Sequence, residues 1–172
     1  GFLIAALPVA LALLRPGRAA TRHAVAAGQM LMSALLIHLT GGRIETHFHV
    51  FGSLAFLSFY RDWRVILTAT AVTAVDHVAR GALWPESVYG TPAGAAWRWL
   101  EHAGWVVFED VFLLYACARG VRDVRAAAER QAELEAAHAT VESRVAERTR
   151  ELAESEERFR GALDHAAIGM AL

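Results

Sequence analysis

Hydropathy divides this chain near Ala118, and that division constrains the fold more than any single motif does. Before it lie five apolar segments separated by short polar turns: Gly1–Leu14, Ala24–Leu39, Phe48–Tyr60, Val65–Val78 and Ala103–Ala118. After it, residues 119–160 are rich in Arg, Glu and Ala and hold no long apolar run. Five apolar runs of helical length predict an all-α protein. Their density before Ala118, with tryptophans near the turns, predicts a multi-pass transmembrane helical bundle of at least five spans. Each run falls short of the ~20 apolar residues that cross a hydrocarbon layer unaided. The flanking polar residues would therefore lie at the membrane margin, and runs of this length also serve as core helices of a buried bundle.

Arginine placement predicts an orientation for such a bundle. Arg15, Arg18, Arg22, Arg61, Arg64, Arg119, Arg122 and Arg125 fall on one side, and Arg43, Arg80 and Arg98 on the other. The richer side is expected to be cytoplasmic, which places the chain in a bacterial inner membrane with the lipid bilayer as a partner. All 17 basic residues are Arg, and the net charge of −1 gives no reason to expect a nucleic-acid partner. Cys117 is the one cysteine, so no internal disulfide or cysteine-based metal site is available.

The polar region carries a heptad pattern. One seam position takes Val124, Gln131, His138, Val145, Leu152 and Phe159, and the other takes Ala127, Leu134, Val141, Arg148, Ser155 and Ala162. With several polar or small members, it predicts a weak parallel coiled coil and a homodimer. The stretch "SEERFRGALDHAAIGMAL" resembles the opening of a PAS domain after a signalling helix, through Ser155, Glu156, Arg158, Phe159, Arg160, Leu163, Ile168, Gly169 and Met170. Ala167 departs from the proline common there. "VESRVAERTRELAESEERFR" is similar to the linker ahead of PAS domains in sensor histidine kinases and diguanylate cyclases, and "GGRIETHFHVFGSLAFLSFYRDWRV" and "WRWLEHAGWVVFEDVFL" resemble a multi-pass input region of such receptors. The resemblance implies three parts: a sensory region over 1–118, a coiled-coil signalling helix over 119–160, and the start of a PAS domain over 161–172. It also implies a downstream response regulator or output domain. The chain opens inside an apolar run and stops in mid-pattern, as a fragment of a longer receptor would.

Chemistry-bearing residues gather at the ends of four apolar runs. His38 closes the second, Glu45, His47 and His49 open the third, Asp76 and His77 close the fourth, and Glu101 and His102 open the fifth. The expected topology puts all eight on one external face. Neutral imidazole and carboxylate suit transition metals, so the convergence predicts a metal or haem site, with Fe, Cu or Zn as the ion. Carboxylates that do not bind directly could orient an imidazole through its second nitrogen. His47 and His49 share a direction only in extended chain, whereas Glu45 and His49 share a face on a helix. A proton-responsive cluster and ordinary interfacial polarity are the alternatives. Glu109 and Asp110 sit about two turns beyond His102 in the fifth run, where acidic groups are costly and face an interior or water.

The functional expectation is the sensory input of a bacterial signal-transduction receptor, itself not catalytic, feeding a histidine kinase or diguanylate cyclase. A membrane metalloenzyme or a transporter could use the same cluster. The first would need an open ligand position and the second internal inverted repeats, and no such repeats are visible.

Overall fold

The structure is a computed structural model that describes residues 1–91 and 95–169, with side chains described over 1–91 and 97–162. Among these residues it has helices joined by short turns and no strand, with α1 Phe2–Leu14, α2 Ala19–Leu39, α3 Ile44–Ser58, α4 Trp63–Leu83, the single turn α5 Glu86–Tyr89, and α6 Ala95–Gly169. Two compact units divide the chain, Gly1–Arg122 and Asp123–Leu172.

In the first unit α2 is central, packing against α1, α3, α4 and α5. Its buried stripe, Ala26, Met30 and Ile37, meets Val50, Leu54 and Leu57 of α3 and Val65, Ile66 and Ala69 of α4. Intervals of three, four and seven residues keep each set on one helix face. Cys117 of α6 completes this core, with Val106, Leu113 and Leu114 packed at its margin. Residues 106, 110, 113, 114 and 117 thus form one stripe, which is how α6 holds its functional groups against the bundle. Gly28 lets α1 approach closely, since a Cβ there would stand 2.5 Å from Pro8 Cγ.

The expected transmembrane bundle, and with it the inner-membrane location and inside–outside assignment, is not supported. No described helix is long and apolar enough to cross a membrane. The physical reasons differ by element. α3 has 15 residues and so spans about 22 Å against the ~30 Å of a hydrocarbon core, and α1, with 13, is shorter still. α2 and α4 reach 21 residues each, but α2 carries Arg22, His23, Gln29, Ser33 and His38, and α4 carries Arg64, Asp76, His77 and Arg80. The all-helical expectation holds for the described residues.

Several arginines used for the sidedness argument are held by acids of the chain itself. Arg22 pairs with Asp62 at 3.2 Å, Arg43 with Glu45 at 3.4 Å, and Arg80 with Asp76 through a close two-point contact. Many large apolar side chains of this unit nevertheless stay exposed, among them Phe48, Phe56, Trp97, Trp105 and Phe112.

In the second unit α6 continues as helix through the expected signalling region 119–160. Its seam residues are open: Val124, Leu134, Val141, Val145, Leu152 and Phe159 are each about half to two-thirds exposed. Gln131–Glu135 and Arg148–Glu151 contacts, at 2.9 Å each, lie along the helix surface. The expected PAS start at 161–172 falls largely outside the described side chains, with 170–172 outside the described residues altogether.

Candidate functional site

Three of the eight expected cluster residues come together. His47 of α3, His77 of α4 and His102 of α6 stand ring to ring, with centroids 4.9 Å apart for His47–His102, 5.5 Å for His47–His77 and 6.1 Å for His77–His102. Tyr89 of α5 adds a fourth ring, 5.5 Å from His102. Each histidine sits near the same end of its helix packing, which is what the topological argument required.

The helices fix two of these rings by the same device. His47 Nδ1 lies 3.0 Å from the Arg43 carbonyl and His102 Nδ1 lies 2.7 Å from the Arg98 carbonyl, each one turn back along its own helix. A carbonyl only accepts, so Nδ1 carries the proton in both rings and the lone pair is left on Nε2. His47 is 4% exposed, and its Nε2 has no hydrogen-bond partner among the described residues. Burial pushes the His47 imidazole down to about 4; the Arg43 carbonyl opposes this, and the charges of His102, His77 and Arg80 add to it. Burial likewise lowers His102, against the pull of the Arg98 carbonyl. His77 Nδ1 lies 3.3 Å from Asp76 Oδ2 but without hydrogen-bond geometry, so the pair is a close contact and not a directed bond.

Beneath the rings is a cavity of about 220 Å³ between α3, α4 and α6. Its wall is apolar apart from the three imidazoles and Thr70, Thr73 and Trp99, and no acid or arginine lines it. The Thr73 hydroxyl donates to Ala69 O at 3.1 Å, and Thr70 Oγ1 donates to Asp110 Oδ2 at 2.6 Å.

Of the remaining expected residues, Asp76 touches the cluster at His77 while Arg80 braces its carboxylate, and the others go elsewhere. His38 Nδ1 meets Ser87 Oγ at 2.9 Å, and Arg80 Nη1 donates to that same oxygen at 2.9 Å, so Asp76, Arg80, Ser87 and His38 form one polar chain across α4, α5 and α2. His49 Nδ1 lies 2.8 Å from Ser33 Oγ and 3.3 Å from Ser53 Oγ. Glu45 and Glu101 are exposed. Among the described residues no group of three or more His, Cys, Asp or Glu side chains is placed to hold a metal ion, which corrects the expected metal-binding cluster.

Asp110 is buried, with Thr70 as its partner, while its Oδ1 and Glu109 Oε2 have none. Burial, and then the neighbouring Asp110 charge, raise Glu109 to about 7. Burial also raises Asp110, opposed by the Thr70 bond. The sequence argument missed Arg80 and Ser87 as braces, Tyr89 beside His102, and Thr70 under Asp110. Only the Arg80–Asp76 spacing of four residues was readable in advance.

No family model matches the chain, and no solved structure matches it. It is 32% identical over 81 residues to Transducer protein Htr8 of Halobacterium salinarum, a similarity that covers 45% of this chain and 13% of that protein. That likeness is consistent with a role in signal transduction.

Proposed function

We propose that the chain is the input region of a signal-transduction receptor, in which the cavity under His47, His77 and His102 reads the stimulus and α6 conveys it. One observation carries this reading: α6 contributes His102 to the cavity and is also the helix that bears the open heptad seam beyond Val121. A half-exposed apolar seam is what a parallel partner would cover, so a homodimer through Val121–Phe159 belongs to the same proposal. An output of the histidine kinase or diguanylate cyclase kind, acting on a downstream partner, would follow residue 160. The similarity to a transducer protein supports the class, not the stimulus.

The test uses the seam as its own reporter. Single cysteines at Leu134 and Val141, in a Cys117→Ala background, report pairing by disulfide crosslinking rate. Filling the cavity with Val106→Trp should change that rate several-fold. An unchanged rate, with the fold intact by circular dichroism, refutes conveyance through α6.

A further inference from the structure

We infer that the cavity between α3, α4 and α6 binds one compact hydrocarbon, about the size of a single substituted ring, through apolar contact alone. The inference deepens the input reading above by naming the ligand class, and it rests on that reading for its biological sense.

The first observation is what faces the space. Almost no polar atom reaches the cavity surface, although histidines and threonines line it. Their polar atoms are turned away or enclosed. His47 Nδ1 and His102 Nδ1 lie on carbonyls of their own helices, and His47 Nε2 and His77 Nδ1 are shut off from solvent. The Thr70 hydroxyl donates to Asp110 and the Thr73 hydroxyl to Ala69 O. These side chains therefore present mainly carbon, and Val50, Phe51, Val78 and Val106 extend the same surface. A donor or acceptor brought in would give up its hydrogen bonds to water and find none in exchange. No Arg, Asp or Glu lines the wall, so a charged ligand is excluded on the same ground.

The second observation concerns water. An enclosed water needs roughly two to four polar partners, and an apolar cavity that lacks them stays dry. A hydrocarbon entering here displaces no firmly held water, while its own apolar surface leaves the solvent.

The third is size and access. An apolar cavity of ~150 Å³ accommodates benzene, so the 220 Å³ found here takes one ring with a small alkyl substituent. It is too small to seat a helix or strand of another chain. Val78, Trp99 and Val107 of its lining are each at least half exposed, so the space is reached from the surface.

The experiment compares toluene with phenol, two probes of one shape that differ in the hydroxyl, by titration calorimetry on the whole 172-residue chain. Toluene should bind at least ~10-fold more tightly, because the phenol hydroxyl would be buried without a partner. Equal affinity, or a preference for phenol, overturns the ligand class. No binding of toluene overturns the site. Position is read on the wild-type chain, where nuclear Overhauser contacts should link toluene protons to the methyls of Val50 and Val106; contacts confined to other residues overturn the site as well. Val106→Trp fills the cavity and should abolish toluene binding. Because that change also strains the packing around α6, Ala74→Phe, at an exposed position of the same wall, is the second variant and should weaken binding too. Unchanged affinity in both variants overturns the assignment. Seam crosslinking of Val106→Trp, measured with no ligand added, decides the input reading separately.

Discussion

The two units of this chain treat their apolar residues in opposite ways. In Gly1–Arg122, Met30, Ile37, Leu54 and Ile66 are fully enclosed by neighbouring helices. In Asp123–Leu172 the apolar residues recur just as regularly, yet Leu134, Val141 and Leu152 are each more than half exposed. Regular spacing alone therefore does not make a core. A core needs facing helices, and the first unit supplies them from its own sequence while the second has only one helix to offer. Helices in proteins draw most of their stability from packing of an apolar face, and the described residues of the second unit leave that face open.

The largest effect should come from breaking the second unit's apolar seam. Leu134→Glu with Val145→Glu removes two seam contacts, each side chain worth about 1.5–3 kcal/mol when fully buried. Sedimentation should show self-association weakened by ~100-fold or more, with the melting of the first unit unchanged. Association that persists would show that the seam does not pair. The converse substitution is Leu54→Ala, at a site that is 0% exposed. It should cost the first unit about 2–5 kcal/mol in denaturant unfolding and leave self-association of the folded chain alone.

Acid sharpens the comparison further, because among the described residues the buried titrating groups lie in the first unit. His47 is lowered to about 4 from 6.5, so the unfolded chain binds its proton first as pH falls. Stability contributed by the neutral ring is full above about 6.5 and is lost toward pH 4, with a slope near 1.4 kcal/mol per pH unit. His47→Phe should flatten that limb of the stability profile. Glu109 runs the other way: raised to about 7, it contributes most when protonated, and stability falls as pH climbs from 4.5 through 7. Glu109→Gln should therefore stabilise the chain at pH 8 by on the order of 1 kcal/mol, allowing for solvent screening, and by nothing near pH 4.5. Thermal melts across pH 4–8 check both.

Much of the helical layout was legible because each apolar run was bounded by turn residues and charges. Pairing of His47 with His77 and His102 was legible as well, since alternating helix directions bring their ends together. What was not legible was everything set by rotation about the helix axes. His38 and His49 stand near the same helix ends, but their rings turn toward Ser87 and toward Ser33 and Ser53. The metal expectation found no supporting group among the described residues, and residue spacing does not encode how rings turn. The membrane expectation failed because apolar density was summed over the region, whereas crossing depends on each helix's own length and polar content. Thr70 under Asp110 lies 40 positions away, and no local pattern links them.

Gly42 ties the fold to the site in a way that sequence variation should record. Its φ is 73°, and a Cβ there would stand 2.4 Å from Gly90 N and 2.7 Å from the Val88 carbonyl carbon. Any side chain at this position would have to displace the α5 turn, and with it Ser87 beside His38 and Tyr89 beside His102. Among diverging copies of this chain, exchange at Gly42 and retention of the histidine cluster should therefore exclude each other. A copy that keeps His47, His77 and His102 but has replaced Gly42 must have rebuilt the turn, while one that keeps Gly42 is free to drift at the exposed Glu45 and Glu101. The glycine is thus the residue by which inheritance of the α5 turn, with Ser87 and Tyr89 on it, can be traced.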